Sequence, residues 1–335
     1  MNQHAKTYRD IYQQGLERFS YWIELNVQQK NRPEALREFF VQASDPQDMR
    51  IGWEYLFMNG YYQDLKTLLS RNKHHVNSVN RQWAYLFDLM LTKEKRTLTH
   101  DQLLFETQKI KTDDPALKAL IEFFVIAIHV DVFDFDAVAN RLDDLLALFH
   151  QVSHRVLTPL LQYRLDRVLF MHHWKRNEML LARKYGFRAF KNNHNHVHLA
   201  NLHINLSLSY LFDDFESANY HLKEAEKMAR ENDITRIITM IEQQNRPFIY
   251  AHFNRPEGLT TPIKSEQAHL AMAGGDYETA RQILSEFTEF TPFTHYYLGR
   301  AHHDYELLER SYDAFIEERS DHYFARLPLT AMQSM

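Results

Sequence analysis

The chain has 335 residues, no cysteine and a formal net charge of −5, with 39 Lys and Arg set against 44 Asp and Glu. Without cysteine there are no disulfides, no thiolate nucleophiles and no Cys-ligated zinc, and mixed charges of slightly acidic balance give no general attraction to phosphate backbones. Only 8 Gly and 9 Pro interrupt the chain, and its apolar residues recur with a period near 3.6 almost throughout, so the expected class is all-α.

The N-terminus, MNQHAKTYRDIYQQGLERF, is polar and amphipathic, and no signal peptide is visible in it. Tyr8, Tyr12, Leu16, Phe19, Ile23 and Val27 predict one long helix over 6–29 rather than a compact helix-turn-helix. Helices are then expected at 33–43, 46–58, 61–71, 77–93, 99–110, 114–130, 135–150 and 155–175, with Pro33, Pro46 and Pro115 near helix starts. The most apolar segment, 121–132, carries Glu122, His129 and Asp131 and is shorter than the roughly 20 residues a membrane span needs. A cytoplasmic protein with no membrane association is expected.

The second half predicts helices at 178–192, 196–212, 215–230, 233–250, 264–273, 277–287, 292–303, 304–318 and 320–334. Residues 202–229 read as two antiparallel helices over the turn Asp213-Asp214. Leu202, Leu206 and Ser209/Tyr210 lie on one face, and Phe215, Ala218, Leu222 and Ala225 follow on the next. Aromatic, small, large, small is the second-helix half of a tetratricopeptide-like (TPR-like) repeat. Similar units occur at 267–280, with Gly275-Asp276-Tyr277 at the turn, and at 296–315, with the Leu298-Gly299 pair. Such units cannot bury their apolar faces alone, so the expected architecture is a TPR-like helical-repeat superhelix, a right-handed α-solenoid. One break, rich in Pro, Gly and Thr, divides it into repeats over 1–253, a hinge over 254–262 and a C-terminal subdomain over 263–335.

Chemistry-bearing motifs are sparse. The stretch 192–198, NNHNHVH, places His194 and His198 four apart, but no carboxylate falls where it would complete a metal shell. The acid pairs Asp113-Asp114, Asp143-Asp144 and Asp213-Asp214 sit at helix starts or on helix surfaces, where capping explains them. Basic clusters at Arg183, Lys184, Arg188 and Lys191 and at Arg71 and Lys73 read as solvated faces, and Glu226 as outward-facing. There is no nucleophile elbow, phosphate loop or HExxH motif, and neither a cofactor nor an enzymatic activity is expected. First helices of stacked repeats instead line a concave surface suited to peptides. On helix 196–212, Asn201, Asn205 and Leu208 join amides to an apolar patch.

The segments Asp321-His322-Tyr323-Phe324-Ala325-Arg326-Leu327-Pro328-Leu329, Ser265-Glu266-Gln267-Ala268-His269 and Tyr296-Tyr297-Leu298 resemble the arbitrium receptor family, AimR. These are phage and Bacillus transcription regulators that read a short communication peptide and govern lysis and lysogeny. The resemblance runs from Leu169 through Tyr210-Leu211-Phe212 to Gln333, and more faintly includes Glu24-Leu25-Asn26-Val27 and Ala35-Leu36. It implies a peptide inside the superhelix touching Asp321 and Tyr323, with Gln267 and Leu211 as further contacts. Asn205, Asn201 and Lys175 complete the expected peptide-binding set. Met171, Lys175, Val197 and Leu208 depart from the family's pocket residues, which argues against the family's own peptide. The family's helix-turn-helix and its C-terminal dimerisation helix are not recognised in the sequence.

The expectation is a peptide-binding regulator that does not itself bind DNA and acts through a protein partner or a homo-oligomer. Two alternatives stand beside it: an interaction scaffold without a small ligand, and a metal-dependent hydrolase using His194 and His198.

Overall fold

The computed structural model describes residues 11–192 and 195–335. Among these there is no strand. The α-helices are α1 (Leu16–Asn26), α2 (Arg32–Gln42), α3 (Pro46–Met58), α4 (Tyr62–Asn72), α5 (Ser78–Glu94), α6 (His100–Gln108), α7 (Pro115–Asp131), α8 (Phe135–Asn140), α9 (Leu142–His150) and α10 (Leu157–Lys175). They continue as α11 (Met179–Ala189), α12 (His196–Leu208), α13 (Phe215–Glu231), α14 (Thr235–Met240), α15 (Arg246–His252), α16 (Lys264–Ala273), α17 (Tyr277–Leu284), α18 (Pro292–His302), α19 (Tyr305–Asp313) and α20 (Arg326–Gln333). No described helix is long and apolar enough to cross a membrane.

The chain forms two compact units. The first comprises Met1–Val132, Ala137–Val168 and Lys191–Asn195, and the second Phe133–Asp136, Leu169–Phe190 and His196–Met335. The units therefore divide within α10, and the stretch 254–262 lies wholly inside the second.

In the first unit, Trp53, Phe57, Trp83 and Phe87 are buried, with ring centroids 5.9–6.5 Å apart where they meet Phe87. Glu54 lies among them at 0% exposure. Its carboxylate is held by the Arg164 guanidinium through two bonds, Nε at 2.6 Å and Nη2 at 2.9 Å, the planar fork that makes arginine suited to carboxylates. Helix starts are capped as the sequence indicates: Asp45 accepts from the Gln47 amide at 2.8 Å, Thr99 and Gln102 form a capping box, and Asp114 accepts from the Ala116 amide at 2.9 Å. The helix expected over 6–29 is shorter. Gly15, at φ +84°, breaks the run ahead of α1, and residues 6–10 lie outside the described part. The helix expected over 135–150 is interrupted at Arg141, giving α8 and α9.

The second unit contains the helix pairs that the repeat spacing predicts. In α12–α13 the buried small residues Ala218, Ala225 and Ala229 allow close approach, and Ser207 Oγ donates to the Ala218 carbonyl at 2.6 Å. Asp214 caps α13 by accepting from the Ser217 amide at 2.6 Å. Gly275, at φ +84°, turns α16 into α17. In α18–α19 a Cβ on Gly299 would come within 2.7 Å of Leu308 Cγ, so only glycine permits this contact.

Two single π-turns interrupt the regular helices, Ile241–Asn245 and Ala314–Glu318. The first has an identifiable cause. Pro247 has no N–H to give the Gln243 carbonyl four residues earlier, and Thr261 Oγ1 donates to that carbonyl at 2.5 Å. Thr261 is buried and its own carbonyl accepts from Gln267 Nε2 at 2.8 Å. The Pro- and Gly-rich stretch therefore closes the α15–α16 connection with side-chain bonds.

Candidate functional site

The C-terminal motif residues gather around the end of α10. Lys175 Nζ donates to Asp321 Oδ2 at 2.7 Å, and both side chains are enclosed, at 6% and 3% exposure. Asp321 Oδ1 accepts from the Phe324 amide at 3.1 Å. Around the ammonium stand three aromatic faces, Trp174 and Phe324 at 4.3 Å and Phe135 at 4.9 Å from their centroids. Burial pushes the Lys175 pKa down, and the neighbouring Asp321 carboxylate opposes this.

Tyr323 is fully buried. Its amide donates to the Lys175 carbonyl at 3.2 Å and its hydroxyl to the Leu208 carbonyl at 2.9 Å. Its ring meets Phe212 edge-on at 5.1 Å, and burial pushes its phenol pKa up. Asp321 and Lys175, both expected among the peptide contacts, are thus brought together and neutralise each other. In this arrangement neither presents an unpaired charge.

The remaining expected residues are dispersed over the second unit. Leu211 is buried, and its carbonyl accepts from His252 Nε2 at 2.8 Å. Gln267 is half-buried and bonded to Thr261. Asn201 and Asn205 lie half-buried one turn apart on α12. Glu226 is not a free outward residue: it pairs with Arg230 at 2.8 Å and with Arg246. Arg183, from the basic cluster, bonds the Ser209 carbonyl and Asp213. Of the suggested metal pair, His194 lies outside the described residues. Among the described ones no group of three or more potential ligands is positioned for a metal. His203 and His221 instead face each other, Nδ1 to Nδ1 at 3.0 Å, and burial pushes both down to about 4.

Beside the motif, the second unit has a cavity of about 550 Å³ that is open to solvent on one side. Its lining includes Leu211 and Phe212 beyond α12, His252 of α15, Tyr296 and Arg300 of α18, and Thr330 of α20. Of the sequence-predicted residues only Leu211 reaches it. Tyr323 bears on it through Phe212, whereas Asn201, Asn205 and Gln267 do not line it. Sequence reasoning missed His252, Tyr296 and Arg300 as a group. The Tyr296-Tyr297-Leu298 segment was visible, but an arginine following the repeat glycine looks like a solvated residue.

Behind Tyr296 lie buried titratable groups. The His269 ring sits 5.0 Å from Tyr297, with neither nitrogen bonded, and burial holds its pKa well below the usual imidazole range. Glu266 accepts from Ser265 Oγ at 3.2 Å, and desolvation pushes its carboxyl up to about 7.

Two outcomes follow from these groups. Asp321→Ala strands a buried ammonium and is expected to cost about 3–5 kcal/mol in urea unfolding, whereas Asp321→Leu combined with Lys175→Met recovers most of that loss. A cost below about 1 kcal/mol for Asp321→Ala would contradict the buried pair. Glu266, raised in the folded chain, contributes stability that is fully present below its unfolded pKa of 4.5 and is lost as pH rises through about 7. Glu266→Gln should therefore match the wild type near the lower pH and exceed it by up to roughly 3 kcal/mol above the upper one. A stability difference that does not change with pH would show that the carboxyl is not desolvated.

Residues 33–334 match the family model described as AimR transcriptional regulator-like. The solved structure of phAimR with ligand superimposes with a TM-score of 0.75 at 17% identity, covering 94% of this chain and 95% of that one. A selenomethionine phAimR structure gives a TM-score of 0.66 at 16% identity, over 95% and 85% respectively. At these identities the likeness speaks to the fold, the all-helical TPR-like architecture. A search of curated proteins found no match. With the family model spanning nearly its whole length, this chain belongs to the AimR-like family of regulators.

Proposed function

We propose that the chain is a peptide-binding regulatory protein whose second unit receives a short signalling peptide in the cavity lined by Leu211, Tyr296 and Arg300. The observation that carries this reading is the cavity itself. Its volume of about 550 Å³ falls in the range of small-ligand pockets, about 300–1,000 Å³. Aromatic walls and a few polar groups fit side chains and backbone of a few residues of peptide. The buried Lys175–Asp321 pair and Tyr323 act here as the supporting frame, holding Phe212 at the cavity wall. Family membership supports a regulatory role rather than catalysis.

We infer further that regulation passes through a protein partner, since the net charge of −5 with mixed signs offers no electrostatic footprint for DNA. Selection from a random duplex pool at physiological salt should enrich no sequence, and a reproducible enriched site would overturn this part of the reading.

Peptide binding is tested by passing a pool of synthetic hexapeptides over the immobilised chain and identifying the retained species by mass spectrometry. A defined subset should be retained, and Thr330→Trp, at an exposed position on the cavity lining, should reduce its retention about tenfold or more. If the pool passes unretained, or Thr330→Trp leaves retention unchanged, the cavity is not the peptide site. An unretained pool would favour the interaction scaffold.

A further inference from the structure

The cavity of the second unit contains a cation with no anion to meet it. Arg300 is carried on α18 and lines the cavity wall. Its Nη1 donates to the Tyr296 hydroxyl at 3.1 Å, and its guanidinium stands 5.5 Å from the Tyr296 ring centroid. No carboxylate lies within ion-pair distance of it among the described residues. Three other cations of the same unit do meet acids: Lys175 meets Asp321, Arg183 meets Asp213, and Arg246 meets Glu226, whereas Arg319 and Arg326 stand over the rings of Phe133 and Phe212 and do not line the cavity. Asp213 also lines the cavity, but it is committed to Arg183.

Removing a guanidinium from water without a counter-charge is costly. The cost is offset when an anion arrives from outside, and a guanidinium has five N–H donors in a fork that fits a carboxylate through two parallel bonds. We propose that Arg300 anchors a carboxylate of the ligand, supplied by a free C-terminus or by an acidic side chain. This rests on the peptide reading for the identity of the ligand, though not for the anion site itself. The aromatic lining beside Arg300 then takes the apolar part of the same ligand.

The test uses hippurate, which ends as a peptide does, and its neutral primary amide, in thermal melts at constant ionic strength. Hippurate should raise the melting temperature of the wild type in a concentration-dependent way, and the amide should not. Arg300→Gln should respond to neither, and Arg300→Lys, which keeps the charge without the fork, should respond weakly. Equal effects of acid and amide on the wild type would overturn the proposal even if Arg300→Gln failed to fold. So would a full hippurate response in Arg300→Gln.

The source of the carboxylate is separated by running the hexapeptide pool both as free acids and as C-terminal amides. Retention of free acids alone assigns the terminus, and retention of amides containing Asp or Glu assigns the side chain. In either case Arg300→Gln should weaken the retained peptides by about ten- to a hundredfold. Retention of neutral amides as strong as that of the acids overturns the proposal. A hippurate response that needs Arg300, with no peptide retained, upholds the anion site and rejects the peptide reading. Peptides held equally by wild type and Arg300→Gln, with no hippurate response, do the reverse.

Discussion

A charge removed from water is costly unless it is matched, and each unit of this protein contains a buried carboxylate matched by a distant cation. Glu54 in α3 meets Arg164, 110 residues away in sequence, and Asp321 before α20 meets Lys175, 146 residues away. Both cations are carried by α10. Helical repeats ordinarily touch only their neighbours, so these pairs join segments that repeat stacking alone would leave apart. A buried pair adds little net stability over well-packed apolar residues, but leaving either partner alone is heavily penalised. In the second unit that asymmetry fixes the 321–325 turn against the end of α10, and with it Tyr323 and the neighbouring ring of Phe212.

The repeat architecture was legible because it is written in local spacing. Ala218, Ala225 and Ala229 are small because α12 packs closely on α13, Asp214 is acidic because α13 begins after it, and Gly299 lacks a side chain because Leu308 occupies the space. What stayed hidden depends on partners distant in sequence. Nothing in the pattern around Lys175 shows that its ammonium meets Asp321, so these two residues read as separate contacts for a ligand. The helix expected over 233–250 runs straight through Pro247, and the Pro-, Gly- and Thr-rich stretch after it reads as a hinge, yet Thr261 in that stretch satisfies the carbonyl that Pro247 leaves free. Arg300 stayed hidden because an arginine after the repeat glycine reads as a solvated side chain, although it lines the cavity.

The C-terminal motif that carries the resemblance to arbitrium receptors has a physical role in the fold. Its Asp and Tyr form the frame, while the cavity beside it takes its polarity from Arg300 and its shape from Tyr296, Phe212 and Leu211. Under the proposed peptide reading, the residues that hold the pocket in place are separate from those that would meet the ligand. Substitutions in the first group would change stability and binding together, and substitutions in the second would change binding alone.

The central claim, that a peptide occupies the cavity of the second unit, is tested most directly by hydrogen exchange with and without the peptides retained from the pool. Ligand-dependent protection is predicted for the backbone amides of 208–213, 292–303 and 326–335, the segments that carry most of the lining. Protection confined to the first unit, or spread evenly over the chain, would contradict it.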